Sequence, residues 1–303
     1  MTNNDIESPV YDFDGLQSRV TRIRSGQIFF VCGVMKSGTT WVQLLLDAHP
    51  NISCNGEGHF MDVLADYLAN ALDHYNEYID NKNLTLFDQI SRIPKVTTDH
   101  LLHILTTSIC LLLDQKCRDK KLVAIGEKTP DNASGLQTLA LLFPNAKFIH
   151  VVRDGRDCAV SGWFHNLRLD QDRTIETYAS LDHYAIQFAE TWASVVKTAS
   201  EFGQTVPGRY MTVRYEDLST DTAAELARFF TFLGAKSAGP EIEHCAATAS
   251  FTALTGGRRS GEENQASFFR KGIIGDWRNH LSPDTQQAFD DKAGDWLKHF
   301  GYS

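Results

Sequence analysis

Between Gly33 and Thr40 the chain reads G-V-M-K-S-G-T-T, which gathers a lysine, two glycines and three hydroxyls into eight residues. The run before it, Ile28-Phe29-Phe30-Val31-Cys32, is continuously apolar, as in a strand buried on both faces. The run after it, Trp41-Val42-Gln43-Leu44-Leu45-Leu46, continues as a helix. A strand, a small-residue loop and a helix in that order aim loop N–H groups and a helix N-terminus at one point, which is an anion site. Gly38 lets the backbone approach a phosphate closely, Lys36 adds a full positive charge, and Ser37, Thr39 and Thr40 add hydroxyl donors.

The order is not that of the Walker A loop, where the lysine follows the second glycine; here Lys36 precedes Gly38. Two further cations stand beside apolar runs. Lys121 to Gly126 reads as a strand running into Glu127-Lys128-Thr129-Pro130, and Lys147 to Val152 as one that empties into Arg153-Asp154-Gly155-Arg156-Asp157. Ile52 to Cys54 and Arg209 to Val213 complete the strands, while 135–143, a run through Ser161 and Trp163, and the stretch with Leu226, Phe229, Phe230 and Leu233 read as helices. Residues 1–26 look like a loose lead-in, and 61–118 are mostly helical. Strands alternating with helices predict an α/β fold, a mainly parallel central sheet flanked by helices with a P-loop-like phosphate loop. Ligands in such sheets sit beyond the carboxyl ends of the strands, which brings Lys36, Lys128 and Arg153 to one crevice.

Composition excludes several classes. Lys plus Arg number 29 against 38 Asp plus Glu, a net charge of −9, which argues against nucleic acid as a partner because backbone binding needs a basic surface. The opening M-T-N-N-D-I-E-S-P is no signal peptide, and the apolar stretch from Ile104 to Leu113 is too short to cross a membrane. Six cysteines without a C-x-x-C pair suit a reduced, cytoplasmic protein. No His/Cys/Asp group has ligand spacing along the chain, so no metal is expected.

Three blocks in order, V-M-K-S-G-T-T-W at 34–41, V-V-R-D-G-R-D-C-A-V-S at 151–161 and R-K-G-I-I-G-D-W-R-N-H at 270–280, together with Tyr215-Glu216-Asp217, resemble the sulfotransferases that use 3′-phosphoadenosine 5′-phosphosulfate (PAPS). The resemblance implies one sulfotransferase domain over 1–303, with 61–118 as a helical cap walling the acceptor. It makes 36–41 the phosphosulfate loop, with Lys36 stabilising charge on the leaving phosphate. Arg153 and Ser161 become 3′-phosphate ligands, and Arg270, Lys271 and Gly272 a second clamp on that group. Without this context Arg153 reads equally as a salt-bridge partner of Asp154 or Asp157. Arg258 and Arg259 are either additions to the basic pocket or a solvated charged loop. Trp41, Tyr215 and Phe251 are adenine-stacking candidates by resemblance and ordinary core aromatics otherwise.

On the acceptor side two subfamilies disagree. The cytosolic enzymes carry a catalytic histidine in K-T-H-x-P; here the run is Lys128-Thr129-Pro130-Asp131. Their dimer-forming C-terminal segment is also absent, so no oligomeric state is assigned. The segment His49-Pro50 followed by N-G-E-G-H-F-M-D resembles the E-x-H-F-x-D stretch of heparan 3-O-type enzymes. This implies Glu57 as the base, assisted by His59, with Lys128 a second cation over the sulfuryl group and Glu127 the understudy to Glu57. Adjacent strand residues point to opposite faces, so Glu127 and Lys128 should not both face the reaction. The expected reaction is in-line sulfuryl transfer to a hydroxyl or amine of a small soluble acceptor, whose pocket should draw on 61–118, the loop after Ser161 and the stretch 252–268. The rivals are a P-loop nucleotide kinase and a non-catalytic protein that binds adenosine 3′,5′-bisphosphate.

Overall fold

The computed structural model describes residues 11–87, 92–117 and 121–302. The acidic residues 1–10 of the lead-in, residues 88–91 and 118 of the helical segment, and the last residue of 1–303 lie outside the described residues. In chain order the strands are β1 (Gln27–Gly33), β2 (Ile52–Asn55), β3 (Ala124–Lys128), β4 (Lys147–Val152) and β5 (Tyr210–Arg214). Around them run α1 (Phe13–Ser25), α2 (Thr39–Asp47), α3 (Ala65–Leu86), α4 (Thr98–Asp114), α5 (Leu136–Leu142), α6 (Gly155–Leu169) and α7 (Gln171–Tyr178). The C-terminal part adds α8 (Leu181–Thr205), α9 (Tyr215–Thr220), α10 (Thr222–Leu233), α11 (Gly239–Thr248), α12 (Phe251–Leu254) and α13 (Pro283–His299).

All strand pairs are parallel, in the order β2-β3-β1-β4-β5, so β1 is central and every carboxyl end emerges on one edge. Strand alternation sends Ile28, Phe30 and Cys32 to one face, where Leu105 and Ile109 of α4, Leu136 and Leu139 of α5 and Phe202 of α8 cover them. Phe29 and Val31 pack on the other against Val42, Leu45 and Leu46 of α2 and Phe229 and Phe230 of α10. The fully buried Trp192 and Phe289 join α8 and α13 to α6 in a third cluster. Among the described residues no helix is long and apolar enough to cross a membrane. All six cysteines are buried and none is bonded to another.

Two expectations need correcting. The lead-in contains α1, capped by the Asp12 carboxylate on the Gly15 amide and buried only at Val20 and Ile23. Arg19 and Arg22 of that helix reach the buried carboxylate of Asp114 on α4, so its stabilising partners lie far along the chain. The segment after Ser161 is helix as far as Leu169 rather than an acceptor-side loop, and Trp163 is buried in its packing.

Candidate active site

The carboxyl ends of β1, β3 and β4 open into a cleft of about 880 Å³. Of the sixteen residues to which the resemblance gives a catalytic or cofactor-binding role, thirteen line it: Lys36, Gly38, Thr39, Thr40, Trp41, Glu57, Arg153, Ser161, Tyr215, Phe251, Arg270, Lys271 and Gly272. The other three are Ser37, Lys128 and His59. Ser37 is fully buried beneath the loop, its hydroxyl without a partner. Lys128, the last residue of β3, is buried and sends its ammonium to Thr40 Oγ1 at 3.1 Å and to Glu57 Oε1 at 2.5 Å. His59 stands behind Glu57, its Nε2 3.5 Å from the second carboxylate oxygen.

The loop is held in a conformation that costs energy away from a function. Lys36 has φ +67° and His59 φ +48°, left-handed values that side chains other than glycine rarely take. Gly38, at φ +101°, cannot be replaced by a larger residue: a Cβ there meets the Tyr215 ring at 2.6 Å. Gly272 stands likewise against Phe251, so both glycines let the backbone close on an aromatic ring. The Lys36 amine lies 4.3 Å from the centre of the Phe268 ring, and burial, aided by the charges of Arg168 and Arg153, lowers its pKa to about 8. Phe268 carried no motif and was missed by sequence reasoning.

Arg153 is placed by β4. Its guanidinium donates to the carbonyls of Lys36 (3.3 Å) and Ile273 (3.0 Å), lies 4.4 Å from the centre of the Tyr215 ring and is 3.5 Å from Asp157, while its buried Nε has no partner. Asp157 rather than Asp154 is thus its acidic neighbour. The Asp157 carboxylate also accepts from the amides of Gly275 (2.7 Å) and Trp277 (3.0 Å), which ties the second block to the third. Arg270 and Lys271 both pair with Asp276, and Arg270 also with Glu263 at 2.7 Å. Arg258 is not a free pocket cation: it donates to the carbonyls of Glu262, Phe269 and Arg270 and braces the loop that carries Phe268. Arg259 is exposed and does not line the cleft. Trp41 donates its indole N–H to the Ala249 carbonyl at 2.8 Å and meets Tyr215 edge-on.

Glu127 and Lys128 point to opposite faces. Glu127 is fully buried and does not line the cleft; it accepts from the Gly58 amide (2.7 Å), Asn132 Nδ2 (2.9 Å) and the Thr129 hydroxyl. Burial raises its pKa, and its hydrogen bonds fix the corner that carries Glu57 and His59. His59 donates from Nδ1 to the Asp62 carboxylate at 2.7 Å, a bond that raises the imidazole pKa. His59, Asp62 and Asp131 each bring one potential ligand atom within 4.8 Å of the others, a grouping that linear spacing did not reveal. Among the described residues of 61–118, none lines the cleft; that segment reaches the site only through Asp62, and the wall is instead built by Pro130, Ser134, Thr191 and Val195.

The comparisons with known proteins agree with this architecture. A Caenorhabditis briggsae protein named "Putative protein-tyrosine sulfotransferase" is 26% identical over 280 residues, covering 91% of this chain and 89% of that one. "Cytosolic sulfotransferase 3" of Arabidopsis thaliana is 27% identical over 173 residues, and the match spans 54% of its length. Among solved structures, mouse sulfotransferase SULT7A1 complexed with PAP superimposes with a TM-score of 0.57 at 18% identity, covering 94% of this chain and 90% of that one, a likeness of fold. The model of the sulfotransferase family matches residues 28–238, from the first strand to beyond α10, and on that ground the chain belongs to the sulfotransferase family.

Proposed function

We propose that the protein is a single sulfotransferase domain over 1–303 that moves the sulfuryl group of PAPS in line to a hydroxyl or amine of a small soluble acceptor. The observation that supports this most is the convergence of Lys36, Arg153, Arg270 and Lys271, from three separate stretches, on one cleft at the carboxyl edge of a parallel sheet. The unpartnered buried Nε atoms of Arg153 and Arg270 and the two glycines pressed against rings suit a bulky phosphorylated ligand. Lys36 precedes Gly38 instead of following it, which disfavours a nucleotide kinase.

When bound, PAPS supplies an activated sulfuryl group. Loop amides from Lys36 to Thr40 hold the phosphosulfate end, and the planar fork of Arg153, Ser161 and the Arg270-Lys271-Gly272 turn hold the 3′-phosphate. Trp41, Tyr215 and Phe251 offer faces for adenine. Glu57 takes the acceptor's proton, His59 orients Glu57, and Lys36 and Lys128 stabilise charge that grows only on the way to the transition state. A tyrosine phenol of a protein is a second reading of the acceptor, favoured by the Caenorhabditis relative.

Adenosine 3′,5′-bisphosphate should raise the melting temperature, more than adenosine 5′-phosphate does, and release of the bisphosphate from PAPS in the presence of an acceptor should survive EDTA. Arg153→Ala should weaken the bisphosphate by about tenfold or more and adenosine 5′-phosphate far less. Equal losses for the two nucleotides would remove Arg153 from the 3′-phosphate, and an unmoved melting temperature would end the proposal.

The lowered Lys36 pKa has a kinetic signature. The amine must be protonated to stabilise the leaving group, and kcat/KM for PAPS reports the ligand-free enzyme. That parameter should therefore fall as pH rises through about 8, whereas the limb for kcat should lie higher because the bound anion favours the charged amine. A kcat/KM that stays flat to pH 10 would contradict the role.

A further inference from the structure

The two sides of the cleft differ in charge. Lys36, Arg153, Arg270 and Lys271 belong to the nucleotide side, whereas the wall beside Glu57 carries Asp131. Asp131 lies in the short helical turn Pro130–Ser134 after β3, which packs against α8, so Thr191 and Val195 join Pro130 and Ser134 in a wall with no basic group. Among the described residues no lysine, arginine or histidine forms an ion pair with the Asp131 carboxylate. An Asp131 oxygen lies within 4.8 Å of an Asp62 carboxylate oxygen and of a His59 ring nitrogen, and His59 is already engaged by Asp62 and Glu57. Partial desolvation and then the Asp62 charge raise the pKa of Asp131, the neighbouring His59 works against them, and the side chain stays exposed on the cleft wall. Once a multiply anionic nucleotide neutralises the opposite cations, Asp131 faces the acceptor with only His59 nearby, a histidine it shares with Asp62 and Glu57.

We infer that Asp131 is a specificity-determining residue, and that the acceptor bears an ammonium or guanidinium group close to the hydroxyl or amine that is sulfated. The inference rests on sulfuryl transfer in this cleft. A positive group on the acceptor gives Asp131 an ion-pair partner, and an anionic acceptor meets three carboxylates instead.

Three phenols that differ in the charge of one tail test this: tyramine, 4-ethylphenol and 3-(4-hydroxyphenyl)propanoate, each with saturating PAPS in EDTA. The expected order of kcat/KM is cation, neutral, anion, with about tenfold or more between the first and the last. Asp131→Asn should draw the tyramine to 4-ethylphenol ratio toward one, the change carried by KM for tyramine, and Asp131→Lys should reverse the order. A native ratio near one, or a ratio that Asp131→Asn leaves unaltered, overturns the inference, as does a preference for tyramine that appears only with added calcium. Should none of the phenols be sulfated, calorimetry of the same three on the complex with adenosine 3′,5′-bisphosphate reads the order directly, and a flat order there is equally fatal. Failure of the bisphosphate itself to bind defeats sulfuryl transfer; a flat order on top of a bound bisphosphate defeats only the role of Asp131.

Discussion

Lys36→Ala should cut turnover by roughly 10²–10³-fold while adenosine 3′,5′-bisphosphate still binds, because the lysine's contribution grows as the leaving phosphate gains charge. The structure gives Lys36 few other tasks. Its ammonium forms no ion pair among the described residues, lies over the Phe268 ring and is partly desolvated there, and its backbone is held in the left-handed region. Lys36→Arg keeps the charge but spreads it over a planar fork that the ring-walled space does not match, so it should recover only part of the rate. Steady-state release of the bisphosphate from PAPS, read beside a binding titration, separates the two effects. A variant with native turnover would remove Lys36 from the chemistry.

Glu57→Gln is expected to lower kcat by roughly 10²–10⁴-fold, the range for a lost general base, without loss of bisphosphate affinity. The control is Glu127→Gln. Its carboxylate accepts from the Gly58 amide, the Thr129 hydroxyl and the Asn132 amide at once, and a glutamine there would turn an NH₂ toward one of those donors. That change should destabilise the fold by about 1–3 kcal/mol, read in denaturant, with a smaller effect on kcat than Glu57→Gln. If Glu127→Gln shows the larger loss of kcat at unchanged stability, the base is Glu127.

Much of this was legible from contiguous stretches. The strands announce themselves as unbroken apolar runs because both faces of the sheet are covered, and the loop from Lys36 to Trp41 carries its chemistry within a few residues. β3 begins later than expected, at Ala124, which puts Lys128 within the strand instead of past its end. Helix α1 escaped notice because just two of its residues are buried and its anchor, Asp114, lies more than ninety residues away. The end of α6 was misjudged because Gly162, His165 and Asn166 weaken its apolar period, although Trp163 is buried within it. Phe268 over Lys36, and Asp131 beside His59 and Asp62, are meetings between distant segments, which local spacing does not encode.

The grip of Asp157 on the amides of Gly275 and Trp277 bears on biosynthesis. These partners are separated by 118 and 120 positions, so a ribosome that has released the sheet and its first helices has still not delivered the turn that Asp157 holds. The growing chain therefore passes through a stage in which the loop from Lys36 to Thr40 is complete and the side of the cleft formed by Arg270, Lys271 and Gly272 is still missing. A ligand that needs both sides of the cleft would therefore favour only the last step of folding.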